Sequence, residues 1–463
     1  MAKKRGFSFR VMLKLQRISD LQYQFSFLSS SDQFEAFYFR FLESDLGKIY
    51  SAIPWNDLVK QFKIKTSRKG PDAYFSPKGK IALMFLKHYT CCSDHKLIEQ
   101  LNSNIDYQFF CDIHLGLQRL TNSKIVSDIR CELSSNLDIE KLEKTLCSYW
   151  LPFIEEPEKI VVDATCYESE LRYPTDQKLL WESVDWLYRQ LKQLCKAVGV
   201  RLPRSKYLKW KKRYIGYSKM RKKTIKKRRS LTRALLALLR KFIAFEKQLH
   251  ANHSFELPKR YYKRIRVIKK VYSQQYIYFT TAQKPKDRIV SLDKDYVRPI
   301  VRGKEIKAVE FGAKVNKLQI DGISFIQKIS FDNFNEGTQL QNSVYKAQGL
   351  TRVKTKVVGA DAIYATNKNR RFITNQNIQT DFKPKGRPSK HYNQQKQLKA
   401  AITKERASRL EGSFGKEKEH YHLKKIKAKT KPNEILWIFF GIHTANALEI
   451  GKRMQKAKLK KVA

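Results

Sequence analysis

Hydrophobic residues recur at steps of three and four through most of residues 31–156, and this spacing predicts amphipathic helices. The runs DQFEAFYFRFLESDLGKIY, KGKIALMFLKHYT and DIEKLEKTLCSYWLPFI show it most clearly. Ser93 and Asp138 stand just before two such runs, where a side-chain oxygen can cap the first backbone amides of a helix. We therefore expect a helical N-terminal domain over 31–156, preceded by a basic lead over 1–30.

The pattern changes to short β-branched runs at two places that each carry an aspartate. KIVVDA, residues 159–164, contains Asp163, and TKVVGADAIYA, residues 355–365, contains Asp361. Both read as buried strands. Between them, AVEFGAKVNKLQI and ISFIQKISF alternate roughly and are separated by Asp321 and Gly322, which predicts a β-hairpin.

Helical spacing returns in several other segments. Residues 176–199 and 230–249 each carry an apolar seam at steps of three and four, which suggests an antiparallel helical hairpin. We also expect helices over about 337–348 and 366–377, and a short strand entering a basic loop over 379–390. A long helix is expected over roughly 394–427, which contains Glu411, and a final helix from Pro432.

The charge is the most unusual property of the composition. The chain has 94 Lys and Arg residues against 43 Asp and Glu, a net charge of +51, and residues 201–270 alone carry 26 basic residues against two acidic ones. Self-repulsion on this scale favours a polyanionic partner, and nucleic acid fits best. The apolar run Ile435–Ile442 is too short to span a bilayer, and the N-terminal residues lack the continuous apolar run of a secretory signal. Seven cysteines without metal-binding spacing suggest reduced, mostly buried thiols of a cytosolic protein.

Asp163, Asp361 and Glu411 form the candidate catalytic set. Alone, a strand-end Asp is most often a cap, and a helical Glu is most often a solvated surface residue. Along the chain, a strand with Asp163 is followed by two strands and a helix, and then by a strand with Asp361. Another helix and strand follow, and the last helix of the series contains Glu411. That order brings three distant carboxylates to one edge of a ribonuclease-H-like sheet, and three hard oxygen ligands suit Mg²⁺ or Mn²⁺. Two such ions would clamp both oxygens of an in-line phosphoryl displacement.

Several motifs resemble the DDE-type transposases of bacterial insertion sequences, in the group with a long insertion after the first aspartate. The motifs are VVDATCYESELRYPTDQKLLWE, RPIVRGKEIKAVEFGAKV, VVGADAIYATNKNRRFI, GRPSK and RLEGSFGKEKEHYHLKKIKAKT. The resemblance implies Asp163, Asp361 and Glu411 as metal ligands and Mg²⁺ dependence, with Mn²⁺ as a substitute. It also implies terminal inverted repeats and target DNA as substrates, and a homodimer or higher oligomer on DNA.

One position departs from the family pattern. Some relatives place an Arg four residues before the Glu, but this chain has Ala407 there, and the nearest arginines are Arg406 and Arg409. Lys418 does match, seven residues after Glu411, and two helical turns would put it on the same face, within reach of a phosphate.

The candidate DNA-binding residues outside the carboxylate set are basic. Those of the insertion interleave with Tyr207, Trp210, Tyr214 and Tyr217, which suits contacts to phosphates together with stacking on bases. Arg370 and Arg371 follow Asp361 and either contact DNA or lie on a solvated helix face. The insertion candidates are Lys211, Lys212, Arg213, Lys222, Lys223, Lys226, Lys227, Arg228 and Arg229.

Four further residues are ambiguous in the sequence. Lys314, near Glu310, either contacts phosphate or has a plain surface role. Tyr364 either packs against the strand end or stacks on a flipped base. His443 reads as a satisfied core histidine rather than a ligand.

Together these features predict an α/β protein with a ribonuclease-H-like catalytic domain over 157–431. A basic helical insertion interrupts it at about 170–290, and a C-terminal helix covers 432–463. The leading hypothesis is a DNA transposase that cleaves insertion-sequence ends and joins them to target DNA. The alternatives are a ribonuclease-H-fold nuclease without joining activity and a non-catalytic DNA-binding protein derived from a transposase.

Overall fold

The structure, a computed structural model, describes residues 31–64, 73–116, 118–301, 309–383 and 392–462. The basic lead at 1–30 and the GRPSK motif at 386–390 lie outside these ranges. The chain has a mixed α/β architecture in which helices predominate around one sheet.

Short helices form the N-terminal part of the described chain, as the spacing predicted. Ser93 and Asp138 are confirmed as helix caps, since their side chains accept hydrogen bonds from the amides of Lys96 and Lys141. The helices are α1 (Ser31–Glu43), α2 (Asp45–Ser51), α3 (Trp55–Gln61), α4 (Pro77–Thr90), α5 (Asp94–Ser103), α6 (Ile105–Phe110), α7 (Lys124–Ser135) and α8 (Ile139–Trp150).

These helices share one hydrophobic core with the sheet and with the helix α17 (Lys431–Val462). Phe440 of α17 stacks on Phe62, with 6.1 Å between ring centroids, and meets Phe85 of α4 edge-on at 4.9 Å. His443 is confirmed as a buried, satisfied core residue, because its ring nitrogens lie 3.2 Å from Glu143 Oε1 and 3.2 Å from Asn446 Nδ2. The N-terminal helices therefore pack directly on α17.

The strands are β1 (Lys159–Ser169), β2 (Pro299–Val301), β3 (Val309–Ile320), β4 (Ile323–Ser330), β5 (Val357–Ala360), β6 (Gln379–Thr380) and β7 (Lys425–Ile426). They form one sheet with the order β2-β3-β1-β5-β6, in which β4 also pairs with β3 and β7 with β1. β3 is antiparallel to β1 and to β4, whereas β5 and β6 run parallel to β1. The predicted hairpin turn is confirmed, since Asp321 and Gly322 have φ of 45° and 80° between β3 and β4.

Between β1 and β2 stands a helical bundle with a hydrophobic core of its own. Its helices are α9 (Asp176–Ala197), α10 (Tyr207–Lys219), α11 (Ile225–Asn252) and α12 (Lys259–Thr281). The predicted antiparallel hairpin is wrong. Gln177 bonds to Thr232 and Tyr188 packs on Phe242, so the two seams, on α9 and α11, advance in the same direction. They are parallel because α10 returns the chain between them, with Trp181 on Tyr214 and Tyr188 on Tyr207.

Three helices connect the sheet strands and place Glu411. α13 (Leu340–Thr351) precedes β5, α14 (Asn367–Asn375) follows it, and α15 (Tyr392–Glu405) runs into a π-helical turn, Arg406–Glu411. α16 (Gly412–His420) continues from that turn. The long helix predicted to reach 427 therefore ends early, because Lys425 and Ile426 form β7 and pair with Glu168 and Ser169 of β1.

The seven cysteines are all free thiols, and four of them are buried, as predicted. No helix in the described ranges is long and apolar enough to cross a bilayer.

Candidate functional site

Asp163 lies within β1, and Asp361 directly follows the parallel strand β5. Val162 of β1 is the register partner of Ala360, the last residue of β5, so each aspartate stands one residue further on. Side chains at matching positions of paired strands project from the same face of a sheet. Asp163 is half-buried within β1, whereas Asp361 begins a 3₁₀ turn and its side chain is 60% exposed. The two carboxylates predicted from the sequence are thus brought side by side.

Glu411 lies on the helical segment that covers this face. Val161, two residues before Asp163 and therefore on the same face, packs against Leu410 and Phe414 on either side of Glu411. A Cβ on Gly359 would stand 2.6 Å from Ile402 Cγ2, so the absence of a side chain lets α15 approach β5 closely. Glu411 itself is exposed.

The donor set fits a hard divalent cation in its chemistry, since all three groups are carboxylates. In the described ranges, however, no group of three or more His, Cys, Asp and Glu side chains is placed closely enough to hold a metal ion. The first two carboxylates each accept a hydrogen bond of 2.7 Å from the amide of the following residue, Ala164 or Ala362. The backbone therefore positions two potential ligands, and Glu411 stands on the helix above them.

A fully buried ion pair joins this helix to the sheet beside Asp163. Lys317 is the register partner of Asp163 on β3, and its Nζ donates to Glu417 Oε1 at 2.6 Å and to Ser413 Oγ at 2.8 Å. Burial lowers the pKa of Lys317, and the carboxylates of Glu417 and Asp163 act in the opposite direction. The Tyr167 hydroxyl also donates to Glu417. Neither Lys317 nor Glu417 is predicted from the sequence, because each has other charged residues close to it along the chain.

Lys418 reaches the same face of β1. Its Nζ donates to Thr165 Oγ1 at 3.1 Å and lies 5.9 Å from the centre of the Tyr167 ring. Thr165 is two residues beyond Asp163, so the lysine that follows Glu411 by seven residues stands beside the carboxylates. The helical phase predicted for Lys418 is consistent with this position.

The π-helical turn places Arg406 and Arg409, the arginines nearest to Ala407, at different sites. A π turn bonds residues five apart, so it adds one residue to the helical turn before Glu411. Arg406 Nη1 lies 3.6 Å from Asp361 Oδ1 and 3.8 Å from Asp381 Oδ2, whereas Arg409 points to the hairpin turn, 2.9 Å from Asp321 Oδ1. The structure therefore brings Arg406 to the carboxylate face. The sequence alone does not distinguish Arg406 from Arg409.

Asp381 is a fourth carboxylate at this edge of the sheet, and it is not predicted from the sequence. It follows β6, and its Oδ1 accepts a hydrogen bond of 3.1 Å from the Ala360 amide. Burial raises its pKa, and the Ala360 amide and Arg406 oppose that shift.

Several other residues singled out in the sequence have structural roles. Lys314 is buried and bonds to Glu336 at 2.7 Å, so neither a phosphate contact nor a surface role describes it. Glu310 is buried as well. Tyr364 is fully buried and donates to Asn316 Oδ1 at 2.5 Å, which confirms packing over base stacking. Arg370 is half-buried and donates to the Ala365 carbonyl, and Arg371 is exposed.

The basic insertion presents its cations outward and its aromatic rings inward. The nine predicted lysines and arginines between 211 and 229 are all exposed. Tyr207 and Tyr214 instead stack on Trp181 of α9, and Tyr217 is buried. The prediction that these tyrosines stack on bases is therefore wrong, since their rings pack in the core of the bundle.

Comparisons with known proteins add two family matches. Residues 358–439, which include Asp361, Glu411 and Lys418, match the family described as Transposase DDE domain. Residues 37–131 match the family described as Transposase domain (DUF772). Neither a curated protein nor a solved structure matches the chain. The two domain matches confirm the resemblance to the DDE-type transposases of insertion sequences, and they indicate a transposase, a class of proteins that bind DNA.

Proposed function

We propose that this chain, which carries transposase domains over residues 37–131 and 358–439, cleaves the ends of an insertion sequence and joins them to target DNA. Asp163, Asp361 and Glu411 are the proposed catalytic residues and the ligands of Mg²⁺ or Mn²⁺. The observation that carries the proposal is the register of β1 and β5, in which Val162 pairs with Ala360. The residues that follow these two, Asp163 and Asp361, are 198 positions apart in the sequence.

The topology supports a ribonuclease-H-like catalytic domain. A central β1 with an antiparallel β3–β4 hairpin on one side and parallel β5 and β6 on the other is the order expected for that fold. The ends of neighbouring parallel strands then collect polar groups at one edge. The helical bundle enters this domain as an insertion between β1 and β2, and its separate core supports that division.

Divalent ions held by Asp163, Asp361 and Glu411 would activate the attacking oxygen, of water or of a freed 3′-hydroxyl, and would stabilise the leaving oxygen. The protein supplies position and electrostatics. Asp163 and Asp361 each accept a hydrogen bond from the next backbone amide, and Glu411 would complete the ligand set from the helix that packs over Val161. Lys418 and Arg406 border the same face, where cations stabilise the charge of a phosphate in transfer.

The insertion is proposed to hold the DNA backbone. Its exposed cations contribute to the net charge of +51, and each phosphate contact they make releases a counterion. The helices of 31–156 are the candidate for reading the terminal inverted repeats. A homodimer or higher oligomer would bring the two element ends together.

A cleavage assay on DNA that carries the flanking ends of the gene tests the proposal. We expect Mg²⁺-dependent nicking at the element ends, none with EDTA, and none for Glu411→Gln or Asp361→Asn. Glu419→Gln is the matched control, since Glu419 lies on the same helix α16 with a side chain 56% exposed and pairs with Lys424. That control is expected to retain full activity.

Three outcomes separate the alternatives. Joining of a pre-cut end to plasmid DNA supports a transposase, whereas cleavage without joining favours a ribonuclease-H-fold nuclease. Tight binding of the ends without cleavage in Mg²⁺ or Mn²⁺ favours a DNA-binding protein derived from a transposase. Normal cleavage by Asp361→Asn would contradict the assignment of that aspartate.

A further inference from the structure

Asp381 and Asp361 occupy the same sheet edge but differ in burial. Val358 of β5 is the register partner of Thr380, so Asp381 is level with Gly359, two residues before Asp361. The Asp381 side chain is 5% exposed and the Asp361 side chain 60%. Asp381 is also bonded to the Ala360 amide, the last amide before Asp361.

Arg406 lies between these two carboxylates without forming a close pair with either. Its distances of 3.6 Å to Asp361 and 3.8 Å to Asp381 exceed the roughly 2.7–2.9 Å of a charge-assisted hydrogen bond. Its Nε is buried and has no hydrogen-bond partner among the described residues. The guanidinium is therefore shared, incompletely satisfied, and has one carboxylate contact on each side.

We propose that Asp381 is a positioning residue that acts through Arg406. By holding part of the Arg406 charge, Asp381 keeps the guanidinium from pairing fully with Asp361, which leaves Asp361 open to a divalent cation. This inference rests on the proposed function, since it takes Asp361 as a metal ligand. It assigns to Asp381 a role apart from the three ligands, and to Arg406 the role of an exchangeable counterion.

A cation and a divalent metal compete for the same carboxylate, because like charges repel at short range in a partly buried site. Without the Asp381 charge, Arg406 is left with Asp361 as its carboxylate partner at this edge and competes more strongly. Without the Arg406 charge, Asp381 no longer has a cation to attract, so replacing Asp381 is not expected to alter the metal affinity.

The experiment is a Mn²⁺ titration of the full-length, DNA-free protein, with free Mn²⁺ followed by electron paramagnetic resonance. Asp381→Asn retains an oxygen for the Ala360 amide and is expected to weaken Mn²⁺ binding about tenfold. Losses of about 10- to 100-fold in metal affinity are typical when a residue that supports a metal ligand is replaced. Arg406→Met is expected to tighten binding. The double variant is expected to bind as Arg406→Met does, because residues that act through one contact are not additive.

Two controls accompany the titration. Arg409→Met removes an arginine of the same π turn that pairs with Asp321, and it is expected to leave Mn²⁺ affinity unchanged. Asp361→Asn is expected to weaken Mn²⁺ binding in every background. Binding that is insensitive to Asp361→Asn would overturn the proposed metal site itself, and this inference with it.

Two other results would overturn the role of Asp381 and leave the proposed metal site intact. If Asp381→Asn weakens Mn²⁺ binding equally with and without Arg406, Asp381 is a ligand and the positioning role is wrong. If Arg406→Met leaves the affinity unchanged while Asp361→Asn lowers it, the competition does not exist and the proposal is overturned.

Discussion

Replacing Lys317 with Met tests whether the buried ion pair fixes the helix that follows Glu411. Lys317 is 0% exposed and Glu417 2% exposed, and their atoms are 2.6 Å apart. Methionine fills a similar volume without the charge, so the variant leaves the Glu417 carboxylate buried and without its cation. Removing one partner of a buried pair costs about 3–5 kcal/mol of the free energy of unfolding.

The assay is equilibrium unfolding in urea, with hydrogen exchange to locate the effect. We expect Lys317→Met to lower the unfolding free energy by about 3–5 kcal/mol and to speed amide exchange in β3 and α16. The double variant Lys317→Met/Glu417→Gln removes both charges and keeps an acceptor for the Tyr167 hydroxyl, so it is expected to recover most of the loss. Such recovery is the signature of two residues that interact directly.

Lys424→Met is the matched control. Lys424 pairs with Glu419 at 2.8 Å, but their side chains are 69% and 56% exposed. Exposed pairs contribute about 0–1 kcal/mol. If Lys317→Met destabilises no more than Lys424→Met, or if the double variant is worse than the single one, the reasoning is refuted.

The remaining predictions address the insertion, the β5–α15 contact and pH. Changing Lys222, Lys223, Lys226 and Lys227 together to Gln is expected to weaken binding to unrelated duplex DNA and to flatten log K against log salt by about 0.9 per lost phosphate contact; an unchanged slope in a filter-binding titration would exclude these lysines from the interface. Gly359→Ala is expected to lower stability and cleavage, since the new Cβ meets Ile402 at 2.6 Å, and Ile402→Ala in the same chain is expected to restore both. Burial lowers the pKa of His422 to about 4, so the unfolded state binds its proton more readily and stability falls as the pH drops from about 6.5 to about 4. His422→Asn, which tolerates the φ of 62°, is expected to reduce that loss in thermal unfolding curves recorded at pH 7 and pH 5.

Local patterns predicted the elements that carry Asp163 and Asp361. A β-branched run located both strands, and β5 ends just before Asp361 as expected. The expectation that Asp163 ends its strand is wrong, because β1 continues to Ser169. The caps at Ser93 and Asp138 and the turn at Asp321 and Gly322 were equally local, because each depends on neighbours within four residues.

Properties that depend on distant partners were not predictable in this way. The seams of α9 and α11 repeat at the same steps whether two helices run parallel or antiparallel, so the spacing alone did not give their direction. β7 has two residues and exists through its pairing with β1. Lys317, Asp381 and Glu417 resemble surface charges in the sequence, and their partners lie 25 to 100 positions away. The π turn left no mark in the sequence beyond Ala407 at the expected arginine position.

The packing of the N-terminal helices on α17 has a consequence for synthesis on the ribosome. Phe62 leaves the ribosome 378 residues before its partner Phe440. At about 5–20 residues per second, that interval is roughly twenty seconds to over a minute. During this time α1–α8 expose an apolar surface that nothing yet covers. The insertion has a core of its own and can fold first, so a nascent chain would carry an assembled cationic bundle before its sheet is complete. We expect chaperone dependence to fall on the N-terminal helices rather than on the insertion.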